Sequence, residues 1–205
     1  MKEHDLSRAT LGRVPLYLDY VRSLPPDSAF VSATAVSRAL GLGEVQVRKD
    51  LGVLCGDGRP RVGYCRAQLE EKLASYLDGR NGETIIVGAG KLGRALLDYD
   101  GFSLFGLNIL AAFDTAVKDV EYTARGKPIL PMEALPGFCR ETGAKIGIIA
   151  VPASAAQGVC NLLYDNGVRA MWSFAPCQLY KPLDAVIQYE NMALSLAHLK
   201  AQIDT

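Results

Sequence analysis

A glycine-rich turn lies between an apolar run and a helical pattern in the segment IIVGAGKLGRALL at residues 85–97, and it limits the possible folds more than any other segment. Gly88, Gly90 and Gly93 have the spacing G-x-G-x-x-G. Glycines at this spacing allow a tight turn, let the backbone approach a pyrophosphate and let the helix pack closely on the strand. The motif alone is weakly specific, but here it follows a strand pattern and begins a helix. It therefore predicts the first βαβ unit of a dinucleotide-binding domain, with a purely structural turn as the alternative.

Alternating apolar strands and amphipathic helices continue from this turn to about residue 189. This alternation predicts an α/β fold with a doubly wound parallel sheet of the Rossmann type. The second strand ends in AAFD, which places Asp114 21 residues after Gly93. A carboxylate there can accept hydrogen bonds from ribose hydroxyls and would repel a 2′-phosphate, so NAD(H) is predicted in preference to NADP(H). A helix cap is the alternative role for Asp114.

Two later strand ends, Val151–Pro152 and Phe174–Pro176, are apolar and suit a flat nicotinamide ring, although each could instead belong to the core. Parallel strands end at the same edge of a sheet, so we expect both beside the glycine turn. The candidate cofactor-binding residues are Gly88, Ala89, Gly90, Lys91, Leu92, Gly93, Asp114, Val151, Pro152, Phe174, Ala175 and Pro176.

The N-terminal part of the chain has a different pattern, in which two short helices flank the break Gly41-Leu42-Gly43. This is the outline of a helix-turn-helix. On the second helix the spacing predicts that Val45 and Leu51 pack inward. Gln46, Arg48, Lys49 and Asp50 are predicted to face mostly outward. A plain helical hairpin with a solvated charged face is the alternative.

The segment CGDGRPRVGY at residues 55–64 is rich in glycine and suits a β-ribbon, such as the wing of a winged-helix domain. Arg59 and Arg61 within it could reach phosphates or a minor groove. Residues 1–66 hold ten Lys/Arg and seven Asp/Glu, a balance of +3, so the remainder carries −3 because the net charge is zero. This small asymmetry favours an anionic partner for the N-terminal part.

The composition predicts a cytoplasmic protein without a membrane segment, because no apolar run approaches the ~18–20 residues that span a bilayer and no signal peptide is evident at the N-terminus. The five cysteines are scattered and odd in number, which fits reduced thiols rather than disulfides. No metal site is predicted. Cys55 and Cys65 flank one short segment, so a redox pair is conceivable, with space-filling as the favoured interpretation.

The sequence offers no evident proton donor or acceptor for a dehydrogenase, which needs one beside the nicotinamide. Its two histidines, His4 and His198, lie near the chain's ends, and no tyrosine is followed by lysine four residues later. A cofactor site without an acid or a base predicts a sensor rather than an enzyme. Two alternatives remain: a small NAD-dependent or CoA-using oxidoreductase with a helical cap, and a DNA-binding protein whose Rossmann domain is only a dimerisation scaffold.

From end to end the chain resembles Rex, the family of bacterial redox-sensing transcriptional repressors. The matching segments, in order, are SRATLGRVPLYL (7–18), QVRKDL (46–51), VGY (62–64), GAGKLGRALLDYDGF (88–102), AAFD (111–114), VPA (151–153) and FAP (174–176).

The resemblance implies a homodimer in which each chain has a winged-helix domain (1–79), a Rossmann NAD(H)-binding domain (80–188) and a C-terminal helix (189–205) swapped between subunits. It implies a repressor that binds palindromic double-stranded operator DNA and is released by NADH, while NAD+ permits binding. The implied DNA-binding residues are Arg13, Gln46, Arg48, Lys49, Arg59 and Arg61. The implied inter-subunit coupling residues are Tyr99, Asn191 and Met192.

The chain departs from the family pattern in several places. Lys91 stands where the family usually has Asn and adds charge beside the pyrophosphate, while Arg61 stands where Gly is common. Asp19 replaces a basic residue, and Asn191 lies near a position that commonly holds Asp. If those last two positions form a redox latch in the family, the latch is altered here.

Overall fold

The computed structural model describes residues 6–77 and 82–203. The chain divides into two compact units, Met1–Arg80 and Asn81–Thr205. Within the described residues, no helix is both long and apolar enough to cross a membrane.

The first unit is mainly helical with one small antiparallel sheet. A serine caps each of its first two helices, since Ser7 accepts from the Thr10 amide and Ser32 from the Ala35 amide. Gly41 ends the second helix in the left-handed conformation, at φ 64°. The elements are α1 (Arg8–Ser23), β1 (Phe30–Val31), α2 (Ala33–Leu40), α3 (Glu44–Cys55), β2 (Tyr64–Cys65) and α4 (Arg66–Ser75). Their order and the α2–turn–α3 connection are those of a winged helix-turn-helix, with Tyr17, Leu18, Leu51, Leu69 and Leu73 in the core.

The second unit is a seven-stranded sheet flanked by helices. Its elements are β3 (Glu83–Val87), α5 (Lys91–Leu97), β4 (Asn108–Asp114), β5 (Glu121–Tyr122), β6 (Pro128–Pro131), α6 (Leu135–Thr142), β7 (Ile146–Ile149), α7 (Ala153–Asp165), β8 (Ala170–Ser173), β9 (Val186–Tyr189) and α8 (Met192–Ile203).

The strand order is β5-β6-β4-β3-β7-β8-β9, and every pairing is parallel except that of β5 with β6. Without β5, this is the doubly wound Rossmann order, in which the order of the strands reverses between β3 and β7. The predicted α/β class is therefore confirmed. Ligands of such sheets bind beyond the carboxyl ends of the strands at this switch point.

Both faces of the sheet are buried, as strand β3 illustrates. Ile85 and Val87 belong to one hydrophobic cluster, and Ile86 belongs to another. Alternate residues of a strand point to opposite faces, so the two clusters lie on opposite sides of the sheet. This explains why the strand reads as a continuous apolar run.

Helix α8 has no buried residue within its described span. Five apolar side chains on it are each exposed by more than half: Met192, Leu194, Leu196, Leu199 and Ile203. An isolated helix of this length is marginal in water, and an apolar surface of this kind marks an interaction site.

Candidate dinucleotide site and nucleic-acid interface

The glycine turn joins β3 to α5, and two of its glycines are required by packing. Gly88 has φ 102°, and a Cβ there would lie 2.4 Å from the carbonyl oxygen of Ala150 on the neighbouring strand end. A Cβ on Gly93 would lie 1.8 Å from the carbonyl oxygen of Gly88. These two positions therefore admit no side chain.

Gly90 is different, because a Cβ there would meet nothing within 4 Å. It is the N-cap residue of α5 and has no side-chain cap. The first N–H groups of a helix lack partners inside the helix and favour an anionic group. The open space at Gly90 thus suits close approach of a phosphate to the backbone.

Asp114 ends β4 and is tied to the glycine turn. Its Oδ2 accepts a hydrogen bond from the Ala89 amide at 2.6 Å, and its Oδ1 accepts one from the Ala116 amide at 2.9 Å. Neither amide belongs to a helix, so Asp114 orders the two turns around it and does not cap a helix. A carboxylate offers about four lone-pair sites, so both oxygens can also accept hydrogen bonds from ribose hydroxyls.

A cavity of about 250 Å³ lies at this switch point. Its lining residues are Val87, Gly88, Gly90, Phe113, Asp114, Thr115, Met132, Ala150, Val151, Pro152, Ala155 and Val159. The set combines an apolar wall, a carboxylate and a glycine backbone free of side chains. These residues fit a dinucleotide that has a flat ring, a ribose and a pyrophosphate.

Thr115 and Met132 line the cavity and were not predicted. Each directly follows the carboxyl end of a strand, β4 or β6. Their position at the strand ends is the signal that could have identified them.

Seven of the candidate cofactor residues do not line the described part of this cavity: Ala89, Lys91, Leu92, Gly93, Phe174, Ala175 and Pro176. Lys91 is exposed at the start of α5. Phe174 follows the carboxyl end of β8, with its ring 4.4 Å from that of Trp172, while Ala175 is buried and Pro176 exposed. Their contact with a cofactor stays a prediction.

Arg94 is a further residue that sequence reasoning missed. Its Nε donates to the Ala89 carbonyl at 2.9 Å, and its Nη2 donates to Glu121 at 2.7 Å. The side chain therefore connects the glycine turn to strand β5. Arg94 holds the conformation of the turn from α5.

In the first unit, helix α3 is oriented differently from the prediction. Val45 was expected to face inward but is 84% exposed, and Asp50 was expected to face outward but is 4% exposed. Both predictions were wrong. The predicted burial of Leu51 is confirmed.

The burial of Asp50 has a clear physical cause, because three side chains of α1 surround its carboxylate. Arg13 contacts it with two nitrogens at 2.7 and 3.0 Å, Tyr17 donates at 2.6 Å and Thr10 at 3.0 Å. Burial raises the pKa of Asp50, but the hydrogen bonds from Arg13, Tyr17 and Thr10 outweigh it, so the pKa is lowered overall. Burial and the bond to Asp50 raise the pKa of Tyr17 to about 12. We call Thr10, Arg13, Tyr17 and Asp50 the α1–α3 cluster.

The other predicted DNA-binding residues of α3 lie on its exposed side. Arg48 pairs with Glu44 one turn earlier, at 2.5 Å, and Lys49 is exposed. Such an exposed i,i+4 pair contributes only about 0.3–0.5 kcal/mol, so it exchanges readily for a phosphate or a base edge. Gln46 is exposed and, in the amide orientation that satisfies both groups, accepts from Arg13 Nη1 at 2.9 Å.

The predicted wing is a short hairpin in which Arg59 pairs with Gly63. Gly63 lies against β1, since a Cβ there would be 2.3 Å from the Val31 carbonyl oxygen. Arg61 is exposed at the turn and has φ 62°, a conformation that favours glycine. The Arg59 guanidinium lies 5.7 Å from the centre of the Phe30 ring, and its side chain is also exposed.

Cys55 and Cys65 are free thiols that line one small cavity of about 110 Å³. Burial raises the pKa of Cys55 to about 11, opposed by the nearby charge of Lys72. A thiol with a raised pKa is a poor nucleophile at neutral pH. The geometry therefore favours the space-filling role.

The predicted coupling residues lie at exposed positions. Tyr99 is 61% exposed and lines a cavity of about 410 Å³ at the C-terminal end of α5. Asn191 caps α8, because its Oδ1 accepts from the Leu194 amide at 3.0 Å. Met192 is exposed on the same helix.

Two family models match the chain. Residues 80–177 match the family described as "CoA binding domain", and residues 5–52 match "Putative DNA-binding protein N-terminus". The first match covers most of the doubly wound sheet, and the second covers α1, α2 and most of α3.

Two similar proteins align with nearly the whole of this chain. The Redox-sensing transcriptional repressor Rex of Clostridium botulinum (strain Hall) is 33% identical over 205 residues, covering 99% of this chain and 98% of that protein. The protein of the same name from Porphyromonas gingivalis (strain W83) is 36% identical over 190 residues, covering 92% and 87%.

Solved structures also resemble the chain over nearly its full length. One is the crystal structure of RSP in complex with beta-NAD+ and operator DNA, with a TM-score of 0.83, 28% identity and coverage of 98% of this chain and 94% of that one. Another is RSP in complex with beta-NADH, with a TM-score of 0.82, 27% identity and coverage of 98% and 96%.

Proposed function

The chain belongs to the Rex family of redox-sensing transcriptional repressors, and from this membership we propose that it is a DNA-binding repressor controlled by the ratio of NADH to NAD+. It binds operator DNA through its winged helix, and NADH releases it. The observation that carries this proposal is that one chain contains both a doubly wound nucleotide crevice with Asp114 and a helix-turn-helix with exposed basic residues on α3.

In the crevice, each residue type has a distinct role. The backbone around Gly90 receives the pyrophosphate, and Asp114 accepts the ribose hydroxyls and disfavours a 2′-phosphate. Val151 and Pro152 form an apolar wall that excludes water from the ring site. The cofactor, when bound, supplies a ring that is positively charged when oxidised and neutral when reduced.

On DNA, α3 is the recognition helix and enters the major groove. Arg48 reads a base edge, and Lys49 contacts a phosphate or a base. Arg59 and Arg61 on the wing contact the backbone or the minor groove. Arg13 is held by Asp50, so we assign it mainly to the support of α3, with a phosphate contact as a secondary role.

The repressor acts as a homodimer, because a palindromic operator requires two heads related by a two-fold axis. The exposed apolar side chains of α8 support a swapped helix that packs on a second copy. Tyr99, Asn191 and Met192 are the coupling residues of that interface. The domain division that we propose is 1–79, 80–188 and 189–205.

We infer that the chain is not an enzyme. Among the described residues that line the crevice, Asp114 is the only one with an ionisable side chain, and it accepts hydrogen bonds from two backbone amides. A hydride-transfer enzyme would need a proton donor or acceptor at the ring.

The test is fluorescence anisotropy of a labelled operator duplex, at one stated salt concentration because affinity depends on salt. We expect NADH to weaken binding at least tenfold and NAD+ to leave it nearly unchanged. Coenzyme A is the matched control ligand and should have no effect. Failure of the protein to bind any duplex would overturn the repressor function. Binding that NADH does not change would favour the scaffold alternative.

A further inference from the structure

The exposed face of α3 has an apolar side chain at its centre. Val45 is 84% exposed, whereas Val47, Leu51 and Leu54 are buried. At about 3.6 residues per turn, Val45 lies on the side of the helix opposite Val47 and Leu54.

Two other residues share the centre of this face with Val45. Lys49 follows one turn later and is exposed, and Gly52 follows at the next turn. A Cβ on Gly52 would meet nothing within 4 Å, so the helix surface there is flat and open. The face therefore presents Val45 near its N-terminus, then a cation, then bare backbone, with the less exposed Val53 beside Gly52.

The surroundings of Val45 favour nucleic acid over an apolar protein partner. Gln46, Arg48 and Lys49 flank it, so an apolar partner would have to desolvate an amide and two cations. Recognition helices contact base edges with their N-terminal residues. In the major groove, the apolar group that a side chain can contact is the 5-methyl group of thymine.

We propose that Val45 is a specificity-determining residue that packs against the 5-methyl group of one thymine in each operator half-site. The inference rests on the proposed function, because it requires α3 to enter the major groove. It adds a chemical feature of the operator: a thymine on the groove face opposite the first turn of α3, beside the base edge contacted from Arg48.

The experiment uses the full-length protein and a palindromic duplex that this protein selects from a random library. Each thymine of one half-site is replaced by deoxyuridine, together with its symmetry-related thymine in the other half-site, one such position at a time. Deoxyuridine lacks only the 5-methyl group. Burial of one methyl group contributes about 0.8 kcal/mol, which corresponds to about a fourfold change in Kd per half-site. We expect one thymine position per half-site to show this loss.

Val45→Ala should abolish the difference between thymine and deoxyuridine at that position and retain the salt dependence of binding. Val120→Ala, at an exposed valine of the second unit, is the matched control and should keep the difference. Because Val45 makes little contact with the core, the variant should keep the wild-type unfolding temperature.

The proposal is overturned if Val45→Ala retains the wild-type deoxyuridine profile, or if the wild-type protein shows no methyl-dependent position. The second outcome does not depend on the variant's folding. Both differ from failure of the proposed function, in which no duplex is selected at all.

Discussion

Gly88 and Gly90 lie two residues apart in one turn, yet they are glycines for different reasons. At Gly88 the backbone has a positive φ and a neighbouring strand end fills the space of a side chain. At Gly90 the space is open and the backbone is extended, with φ −69° and ψ −167°. The first glycine serves the fold, and the second leaves room for a ligand.

This difference predicts opposite outcomes for two alanine substitutions. Gly90→Ala should keep the unfolding temperature within a few degrees, because alanine adopts that backbone without strain, but should weaken NADH binding at least tenfold. Gly88→Ala should lower stability by about 3 kcal/mol or more, from combined strain and overpacking. Thermal unfolding and NADH titration measure the two effects. Wild-type NADH affinity in Gly90→Ala would contradict the placement of the phosphates.

The α1–α3 cluster makes a prediction about pH. Asp50 has a lowered pKa in the folded protein, so its stabilising contribution is complete above its unfolded pKa of about 4 and is lost as the pH falls through the folded value. Asp50→Asn should lower the free energy of unfolding by about 3 kcal/mol at neutral pH. The difference from wild type should shrink below about pH 4.

Urea unfolding at neutral and acidic pH measures this difference, and Asp27→Asn, at an exposed loop position, is the control. A wild-type advantage that persists unchanged at low pH would show that the charge of Asp50 is not its source.

The orientation of α3 is fixed by its neighbours rather than by its own sequence pattern. Local sequence patterns were sufficient to predict the glycine turn, because the strand, the turn and the helix are adjacent in the chain. The predicted fold class and the position of the crevice follow from the same local patterns. The outward placement of Asp50 was wrong because its partners Thr10, Arg13 and Tyr17 lie 40, 37 and 33 residues away. When a helix is only modestly amphipathic, such distant partners can decide which of its sides is buried. The burial of Asp50 was therefore a tertiary effect that no local spacing contains.

Two basic residues of α3 should differ in how they affect binding. Lys49→Ala should weaken binding to most duplexes and reduce the salt slope by about 1. Arg48→Ala should cost about 1–3 kcal/mol at one base position and relax preference there. Anisotropy titrations across a panel of single base-pair variants distinguish the two effects. If Arg48→Ala left sequence preference untouched, the assignment of Arg48 to a base edge would be wrong.

Helix α8 is the element whose apolar side chains the single chain leaves unburied. Its apolar side chains are exposed, so a charge introduced there should disturb assembly and spare the fold of the chain. Leu196→Glu should shift the protein from dimer to monomer and weaken operator binding by at least tenfold, because one head alone binds one half-site. Sedimentation and anisotropy measure these changes, with Gln202→Glu, on the same helix, as the control. A stable Leu196→Glu dimer would remove α8 from the interface.

In the proposed function, one chain couples a dinucleotide crevice to a DNA-binding domain. Coupling is reciprocal, so operator DNA must weaken NADH binding by the same factor by which NADH weakens operator binding. The single tryptophan, Trp172, contacts Phe174 at the carboxyl end of β8 and offers an intrinsic fluorescence signal for titration with NADH. We predict that saturating operator raises the Kd for NADH at least tenfold, matching the anisotropy result, and that a scrambled duplex does not. An NADH affinity that is the same with and without operator would contradict coupling between the two sites.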